Sequence, residues 1–259
     1  MVSTTVTVAV LGLGEAGGAI SADLVATEAT VKAYDPKVSA VAPLIGAASE
    51  AEAVGGADLV LSVNSSADAV DALRSGLPAV KPGAVWADLN TASPEKKQTL
   101  RDIAGRSGVA FADVAIMAPV PGRGLRVPML ASGAAAAEVA TILGGFGASV
   151  EVLDGDAGLA AGRKLLRSVF FKGMSAAVVE ALEAARAADC EDWLRDIIIA
   201  EFARAGEDTV DRMVTGMRQH AVRRTAEMAA AAEMLTELDV PPTMAVASRD
   251  LLSRLADDV

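Results

Sequence analysis

Apolar residues alternate with smaller ones at the start of the chain and then stop abruptly at glycines. The alternation covers Val6–Leu11, which predicts a short buried strand. Residues Ala19–Val25, just beyond the glycines, predict the first turns of a helix. A second apolar strand is predicted over Thr30–Tyr34. The chain therefore opens with a strand, a glycine turn, a helix and a further strand.

Strand and helix patterns keep alternating through the first half of the chain. Further strands are predicted over Ala57–Val63, Ala84–Asp88, Val109–Ala112, Pro128–Ala131 and Ser149–Val152. Helices are predicted over Val38–Ile45, Ala67–Ser75, Pro94–Gly105 and Ala136–Gly145. This alternation is typical of an α/β fold with a doubly wound, largely parallel sheet of the Rossmann type.

Strand patterns disappear after Leu153, and the remaining chain reads as helical. Helices are predicted over Ala157–Ala188, Trp193–Ala205, Thr209–Leu238 (one or two helices) and Thr243–Leu255. We therefore expect a Rossmann domain over residues 1–155 and an all-α domain over residues 156–259. Because so small a helical half cannot bury its long helix alone, we expect a homodimer in which Val178 and Leu182 contribute to the interface.

Composition narrows the range of partners. The formal charge of −11 argues against nucleic acid or an anionic membrane as a partner. The one cysteine, Cys190, excludes an internal disulfide and suggests a reducing, cytoplasmic setting. The amino terminus lacks the basic start of a secretory signal, and no apolar run is long enough to span a bilayer. With His220 as the only histidine, two-histidine zinc motifs are impossible, and we expect no metal.

The glycines after the first strand have the spacing of a dinucleotide-binding fingerprint. Gly12 permits a tight turn, Gly14 lets a pyrophosphate approach the backbone, and Gly17 lets the helix pack close to the strand. The free N–H groups at the start of the helix then face the phosphates. The predicted phosphate turn consists of Gly12, Leu13, Gly14, Glu15, Ala16 and Gly17.

Asp35 stands at the end of the second strand, roughly 20 residues beyond the glycines, where an acidic residue accepts hydrogen bonds from the adenosine ribose. Its charge would repel a 2′-phosphate and so favours NAD. The neighbouring Lys37 softens that preference, so NADP remains possible. The alternative is that Asp35 only forms a turn before Pro36.

Polar residues also follow two later strands. Asn64 and Ser65 end one strand, and Asn90 ends the next. Ligands of doubly wound sheets bind beyond the carboxyl ends of the strands, so these residues are predicted cofactor contacts. Each of them could instead serve only as a turn residue.

Four segments in order resemble the β-hydroxyacid dehydrogenase superfamily, which includes 3-hydroxyisobutyrate and 6-phosphogluconate dehydrogenases and imine reductases. The segments are VLGLGEAGGAI, DLNTASP, ADVAIMAPVPGRG and GLAAGRKLLRS, starting at residues 10, 88, 112 and 158. The stretches RSVFFKGMSAAVVE and HAVRRTAEM are similar to the phosphogluconate dehydrogenase-like branch that carries a C-terminal domain of unknown function.

The resemblance implies that Lys164 is the general acid/base and that Ser168, where relatives have Asn, orients the substrate. Hydride transfer from an alcohol needs a proton acceptor at the hydroxyl, and a partly desolvated lysine suits that task. Lys172, two turns further on, could bind an anionic group or act as a second proton donor. From the residues alone, the alternative for each lysine is a solvated helix residue.

The resemblance also implies a substrate loop over Ala118–Gly124, with Pro119, Val120, Gly122 and Arg123 as contacts. Pro121 replaces the serine of relatives, and Arg123 or Arg126 could supply a guanidinium for a carboxylate or phosphate. A solvated loop arginine is the alternative. His220 is a further candidate for the substrate pocket, although it could belong to an exposed polar face.

These observations predict a nicotinamide-dependent oxidoreductase that acts on a small, possibly anionic hydroxyacid. One alternative is an imine or ketone reductase of the same fold. A non-catalytic dinucleotide sensor, which would need no Lys164, is an alternative of another class.

Overall fold

The computed structural model describes residues 6–257, and its first half is a twisted sheet of eight strands. In space the strands run β3-β2-β1-β4-β5-β6-β7-β8. Strands β1 to β6 are parallel, while β7 pairs antiparallel with β6 and parallel with β8. The strands are β1 Thr7–Leu11, β2 Thr30–Tyr34, β3 Ile45–Gly46, β4 Leu59–Ser62, β5 Val85–Asp88, β6 Ala110–Ile116, β7 Met129–Ser132 and β8 Val150–Val152.

Helices connect these strands and cover both faces of the sheet. They are α1 Glu15–Ala26, α2 Glu50–Val54, α3 Ala69–Gly76, α4 Pro94–Arg106 and α5 Ala136–Gly145, followed by the long α6 Leu159–Ala187. The predicted fold class, a doubly wound sheet followed by helices, is confirmed.

Both faces of β1 are buried, which explains its nearly continuous apolar sequence. Val8 and Val10 pack into one core cluster with Ile20 of α1. Ala9 and Leu11 face the opposite way, into a second cluster that contains Trp86 and Leu100 among others. A sheet buried on both sides leaves only its strand ends and edges for ligands.

The helix predicted over Val38–Ile45 is wrong. This segment is irregular and ends in the short strand β3, while the helix α2 lies further along the chain. The Asp35 carboxylate accepts the backbone N–H groups of Lys37 and Val38, at 2.7 and 2.9 Å, and so holds the start of the segment in a turn. Pro43 has no N–H to continue a helix.

The chain divides into two compact units, one ending at Arg167 and the other beginning at Ser168. The predicted domain boundary after residue 155 stays a prediction. The second unit contains the later part of α6 and the helices α7 Glu191–Ala203, α8 Thr209–Gln219, α9 Ala221–Glu237 and α10 Thr243–Asp257. Among residues 6–257, no helix combines the length and apolarity needed to cross a membrane.

The core of the second unit lies mainly between α9 and α10. Ala232 and Leu235 of α9 pack there with Ala184 of α6 and Ala245 of α10. The buried Glu180 carboxylate accepts the N–H groups of Met244 and Ala245 at 2.6 and 2.8 Å. A charged side chain from α6 thus caps the first turn of α10, where the N–H groups have no partner within their own helix.

Candidate functional site

The turn between β1 and α1 has the geometry that its glycine spacing predicts. Gly12 has a φ of +102°, which disfavours any residue with a side chain. A Cβ on Gly17 would lie 1.9 Å from the Gly12 carbonyl oxygen, so α1 packs directly on the turn. A Cβ on Gly14 would meet no atom within 4 Å, which leaves open space in front of the N-terminus of α1.

A first cleft of about 340 Å³ opens beside this turn. Its floor is formed by the turn, and its walls come from the ends of β2 and β4 and from the start of α3. The lining residues are Gly12, Gly14, Asp35, Pro36, Lys37, Glu50, Val63, Asn64, Ser65, Asp68, Asp71 and Ala72.

Asp35 joins β2 to the glycine turn. One carboxylate oxygen accepts the N–H of Leu13 at 2.8 Å, and the other accepts the N–H groups of Lys37 and Val38. Partial burial raises the pKa of Asp35, but these three hydrogen bonds and the charge of Lys37 outweigh it and lower the pKa below its ordinary value. Asp35 is therefore an anion at neutral pH, at the point where a ribose is expected.

A second cleft of about 440 Å³ lies on the other side of the turn and shares three residues with the first, namely Val63, Asn64 and Ser65. It runs along the carboxyl ends of β4, β5 and β6 towards Lys164 of α6. The lining residues are Glu15, Ala16, Val63, Asn64, Ser65, Ser66, Leu89, Asn90, Thr91, Ile116, Ala118, Pro119, Val120 and Lys164. The two clefts place Asp35 and Lys164 on opposite sides of the glycine turn.

Two amides form part of the wall of the second cleft, and one of them, Asn64, also lines the first. The Nδ2 of Asn90 donates to Oδ1 of Asn64 at 2.7 Å and to Oδ2 of the buried Asp88 at 2.7 Å. Asn90 also reaches the hydroxyl of Ser62 at 3.2 Å. These bonds fix the orientation of both amides. A ligand that contacts Asn64 and Asn90, as predicted, would meet them in that orientation.

Sequence reasoning missed a charged group behind this wall. Lys97 is fully buried, and its Nζ lies 2.5 Å from Asp88 Oδ1 and 3.1 Å from Asp113 Oδ1. A signal was present, because Lys97 shares a helical face with the buried Leu100 and Ala104 of α4. A lysine on an apolar face of a helix predicts a buried partner of opposite charge.

The predicted substrate loop is anchored to α1. The carboxylate of Asp23 accepts the N–H of Leu125 at 2.8 Å, and a Cβ on Gly124 would lie only 2.0 Å from that carboxylate. Pro119 and Val120, at the start of the loop, line the second cleft. Gly122 and Arg123, in contrast, are exposed and lie outside the lining of both clefts. Their role in substrate binding stays a prediction.

Three further predicted residues belong to the second unit. Ser168 and Lys172 follow Lys164 on α6 at intervals of four residues, which places all three on one helical face. Lys172 is exposed, and so is His220, which lies between α8 and α9. Their roles at the substrate also stay predictions.

The described residues contain no cluster of three or more His, Cys, Asp or Glu side chains that could hold a metal ion.

Comparison with known proteins agrees with this geometry. Residues 7–154 match the NAD binding domain of 6-phosphogluconate dehydrogenase. Residues 185–255 match a domain of unknown function, DUF1932. An uncharacterized 28.5 kDa protein of Methanothermus fervidus is 24% identical over 253 residues, which cover 95% of this chain and 98% of that protein.

Solved structures share the fold over nearly the whole chain. A conserved protein of unknown function, described as structurally similar to 3-hydroxyacid dehydrogenases, is 25% identical, with a TM-score of 0.63 over 96% of this chain and 98% of that one. An imine reductase from Myxococcus stipitatus, solved with NADP⁺, has a TM-score of 0.80 at 18% identity and covers 98% of this chain and 94% of its own. The second likeness concerns the fold.

Proposed function

Since the chain belongs to the family of the NAD binding domain of 6-phosphogluconate dehydrogenase, we propose that it is an NAD(P)-dependent oxidoreductase acting on a small hydroxyacid. The observation that carries the proposal is the second cleft, where Lys164 shares one cavity with Asn64, Asn90 and the start of the glycine turn. A proton-transferring group and a dinucleotide turn on one cavity are the two parts that alcohol oxidation needs.

The residues of the two clefts suit a dinucleotide. The open space at Gly14 and the N–H groups at the start of α1 would hold its pyrophosphate. Asp35 in the first cleft would hold the adenosine ribose, and Asn64, Ser65 and Asn90, which line the second cleft, would hold the nicotinamide half. The charge of Asp35 favours NAD over NADP.

Lys164 moves the proton. When bound, the nicotinamide accepts or supplies the hydride. During oxidation the neutral amine of Lys164 takes the hydroxyl proton as the carbon–oxygen double bond forms, and during reduction the ammonium returns it. Ser168, one turn further along α6, orients the substrate oxygen, and Pro119 and Val120 shape the cavity around the carbon chain.

A second candidate function is the reduction of imines or ketones. Among the residues that line the second cleft, Lys164 is the one cation, and Glu15 adds a carboxylate. A cavity of this kind provides little attraction for a substrate carboxylate beyond Lys164 itself. Neutral ketones and cyclic imines therefore belong in the same test.

The test follows nicotinamide absorbance with NAD(H) and NADP(H) against 2- and 3-hydroxyacids, sugar acids, ketones and cyclic imines. It compares the unmodified protein with Lys164→Met. The matched control is Arg163→Met, which removes the neighbouring, exposed cation of α6. We expect turnover of one substrate class, a loss of at least about a hundredfold in Lys164→Met, and little change in the control.

The outcomes separate the candidate functions. Turnover of hydroxyacids supports the first proposal, and turnover of ketones or imines alone supports the second. Dinucleotide binding without turnover of any substrate would indicate a sensor. Turnover that Lys164→Met leaves intact would remove the lysine from the mechanism.

We also propose that the chain forms a homodimer through its helical unit. Large apolar side chains of α6, α7 and α8 are exposed, including Val169, Phe170, Trp193, Ile199 and Met213. Exposed apolar surface on this scale is typical of an interface. Light scattering should give twice the chain mass for the unmodified protein and the single mass for Phe170→Glu.

A further inference from the structure

Lys97 is enclosed by two buried carboxylates that come from different strands. Its ammonium donates to the Asp88 carboxylate at 2.5 Å and to the Asp88 carbonyl at 2.8 Å, and it pairs with Asp113 at 3.1 Å. All three side chains are fully buried. Taking three charges out of water is costly, so such a cluster persists only where each member is paired and hydrogen-bonded.

One end of this cluster holds the start of α6. The second carboxylate oxygen of Asp113 accepts the N–H groups of Gly158 and Ala161, at 3.1 and 2.8 Å. The hydroxyl of Ser132 accepts the N–H of Ala160 at 3.1 Å. These N–H groups have no partner within their own helix, so side chains of β6 and β7 supply the cap of α6.

The cap lies one turn from Lys164. Ala161 precedes Lys164 by three residues, which is about 4.5 Å along the helix axis. This turn packs tightly against the start of α4, since a Cβ on Gly158 would lie only 2.9 Å from the Pro94 carbonyl oxygen. Gly158 also has a φ of +108°, which favours glycine. The cap therefore fixes the first turn of α6, from which the helix carries Lys164 to the lining of the cleft.

The other end of the cluster reaches the opposite wall of the cleft. The Asp88 carboxylate accepts a hydrogen bond from the Asn90 amide, and the same amide donates a hydrogen bond to the side-chain oxygen of Asn64. Asn64, Asn90 and Lys164 line the same cavity. Charged and polar contacts therefore link the first turn of α6, which precedes Lys164, to the amides expected at the nicotinamide.

The charges account for the arrangement. Two carboxylates and one ammonium leave one net negative charge inside the protein. The N-terminus of α6 contributes roughly half a positive charge at Asp113, which offsets part of it. Neutralising Asp113 would remove the anion from this helix end and would leave Lys97 with Asp88 alone.

We propose that Asp113 and Lys97 are positioning residues, which set Lys164 against Asn64 and Asn90 through the first turn of α6. The inference rests on the proposed function, because it assigns a purpose to the location of Lys164. Neither Asp113 nor Lys97 contacts the ligand in this proposal. The two residues raise the turnover rate only by holding Lys164 in position.

The experiment compares Asp113→Asn and the milder Ser132→Ala with the control Ser93→Ala. The hydroxyl of Ser93 caps α4 by accepting the N–H of Lys96 at 3.3 Å. The Ser93 carbonyl accepts the N–H of Lys97 at 3.1 Å, and Ser93→Ala keeps that backbone bond while it removes the hydroxyl, which has no described bond to the buried cluster. For each protein we would measure kcat, the KM of the dinucleotide, and deuterium exchange of the peptide that spans residues 158–165.

We expect kcat to fall about tenfold to a hundredfold in Asp113→Asn, and less in Ser132→Ala, with the dinucleotide KM nearly unchanged. Exchange at residues 158–165 should become faster in both variants and stay unchanged in Ser93→Ala. If Asp113→Asn fails to fold, Ser132→Ala decides the question by the same split between kcat and KM.

Two results would overturn the proposal. One is a parallel loss of kcat and dinucleotide affinity that Ser93→Ala reproduces, which would make the cluster merely structural. The other is unchanged exchange at the start of α6. If the unmodified protein turns over no substrate, the proposed function fails, while the exchange measurement still decides whether Asp113 and Ser132 hold this helix end.

Discussion

The carboxylate of Asp35 accepts a hydrogen bond of 2.8 Å from the backbone N–H of Leu13, and so joins the end of β2 to the glycine turn after β1. The residue expected to recognise the adenosine ribose thus also holds the turn expected to bind the pyrophosphate. One side chain is therefore expected to serve both the specificity and the shape of the first cleft.

Asp35→Asn should change cofactor preference. The unmodified protein is expected to bind NADH more tightly than NADPH, because the anion at residue 35 repels a 2′-phosphate. Asparagine keeps the size of the side chain and removes the charge. The ratio of NADH affinity to NADPH affinity should therefore fall by about tenfold, which corresponds to 1.4 kcal/mol. Titration of NADH and NADPH fluorescence measures both affinities.

The control for this change is Asp71→Asn, which removes a carboxylate from the same cleft. It should leave the ratio of the two affinities almost unchanged. Tighter binding of NADPH than NADH by the unmodified protein would contradict the role of Asp35.

Alanine at two positions of the glycine turn should have different effects. Gly17→Ala would place a Cβ 1.9 Å from the Gly12 carbonyl, so both the thermal unfolding temperature and dinucleotide binding should fall. Gly14→Ala meets no protein atom within 4 Å, and its φ of −62° suits alanine. It should keep the unfolding temperature and lose dinucleotide binding, because the added methyl group stands where the pyrophosphate approaches.

Calorimetry of each variant with and without NADH separates these effects. If Gly14→Ala binds NADH as tightly as the unmodified protein, the pyrophosphate does not bind at Gly14. A Gly17→Ala protein as stable as the unmodified one would show that the turn relaxes without cost.

Asp23→Ala should release the loop that follows β6. It leaves the buried N–H of Leu125 without its carboxylate, which costs about 1–3 kcal/mol. The exposed Arg123 and Arg126 should then become faster sites of tryptic cleavage. Substrate KM should rise more than the dinucleotide KM, because Pro119 and Val120 line only the second cleft, while the adenosine half of the dinucleotide is expected in the first.

Asp102→Ala is the control for this change, since its exposed carboxylate bonds to the neighbouring Arg101. It should leave the rate of loop cleavage unchanged. Equal cleavage rates for Asp23→Ala and the unmodified protein would show that the loop has another anchor.

The helical unit should respond to acid through Glu191. Hydrogen bonds from Arg186 and then Arg195 lower the pKa of Glu191 from 4.5 to about 2. Because the unfolded chain binds this proton more readily, the contribution of Glu191 to stability is fully present above pH 4.5 and is lost as the pH falls to about 2. Carboxyl carbon NMR should give the low midpoint directly.

Arg186→Gln should move that midpoint upwards, because it removes the two hydrogen bonds that Arg186 donates. Glu233, an exposed carboxylate of α9, serves as the internal reference in the same spectra. A midpoint for Glu191 that Arg186→Gln leaves in place would contradict the assigned cause.

Local sequence signals were sufficient where the chemistry is contiguous along the chain. Strand, glycine turn and helix follow one another within residues 7–26, so spacing alone located the turn. The same reasoning failed over Val38–Ile45. The hydrogen bonds that the N–H groups of Lys37 and Val38 donate to Asp35, together with the ring of Pro43, act against the helix that local apolar content suggested.

The sequence by itself determined the fold class, the glycine turn and the change from strands to helices, because these depend on periodicity and on backbone freedom within short segments. Only the tertiary structure decided that Lys97 of α4 forms ion pairs with Asp88 and Asp113, and that Asp113 caps α6. The pairing of β5 with β6 aligns Asp88 with Asp113. Partners from separate elements meet through strand order and register, which no local pattern of residues encodes.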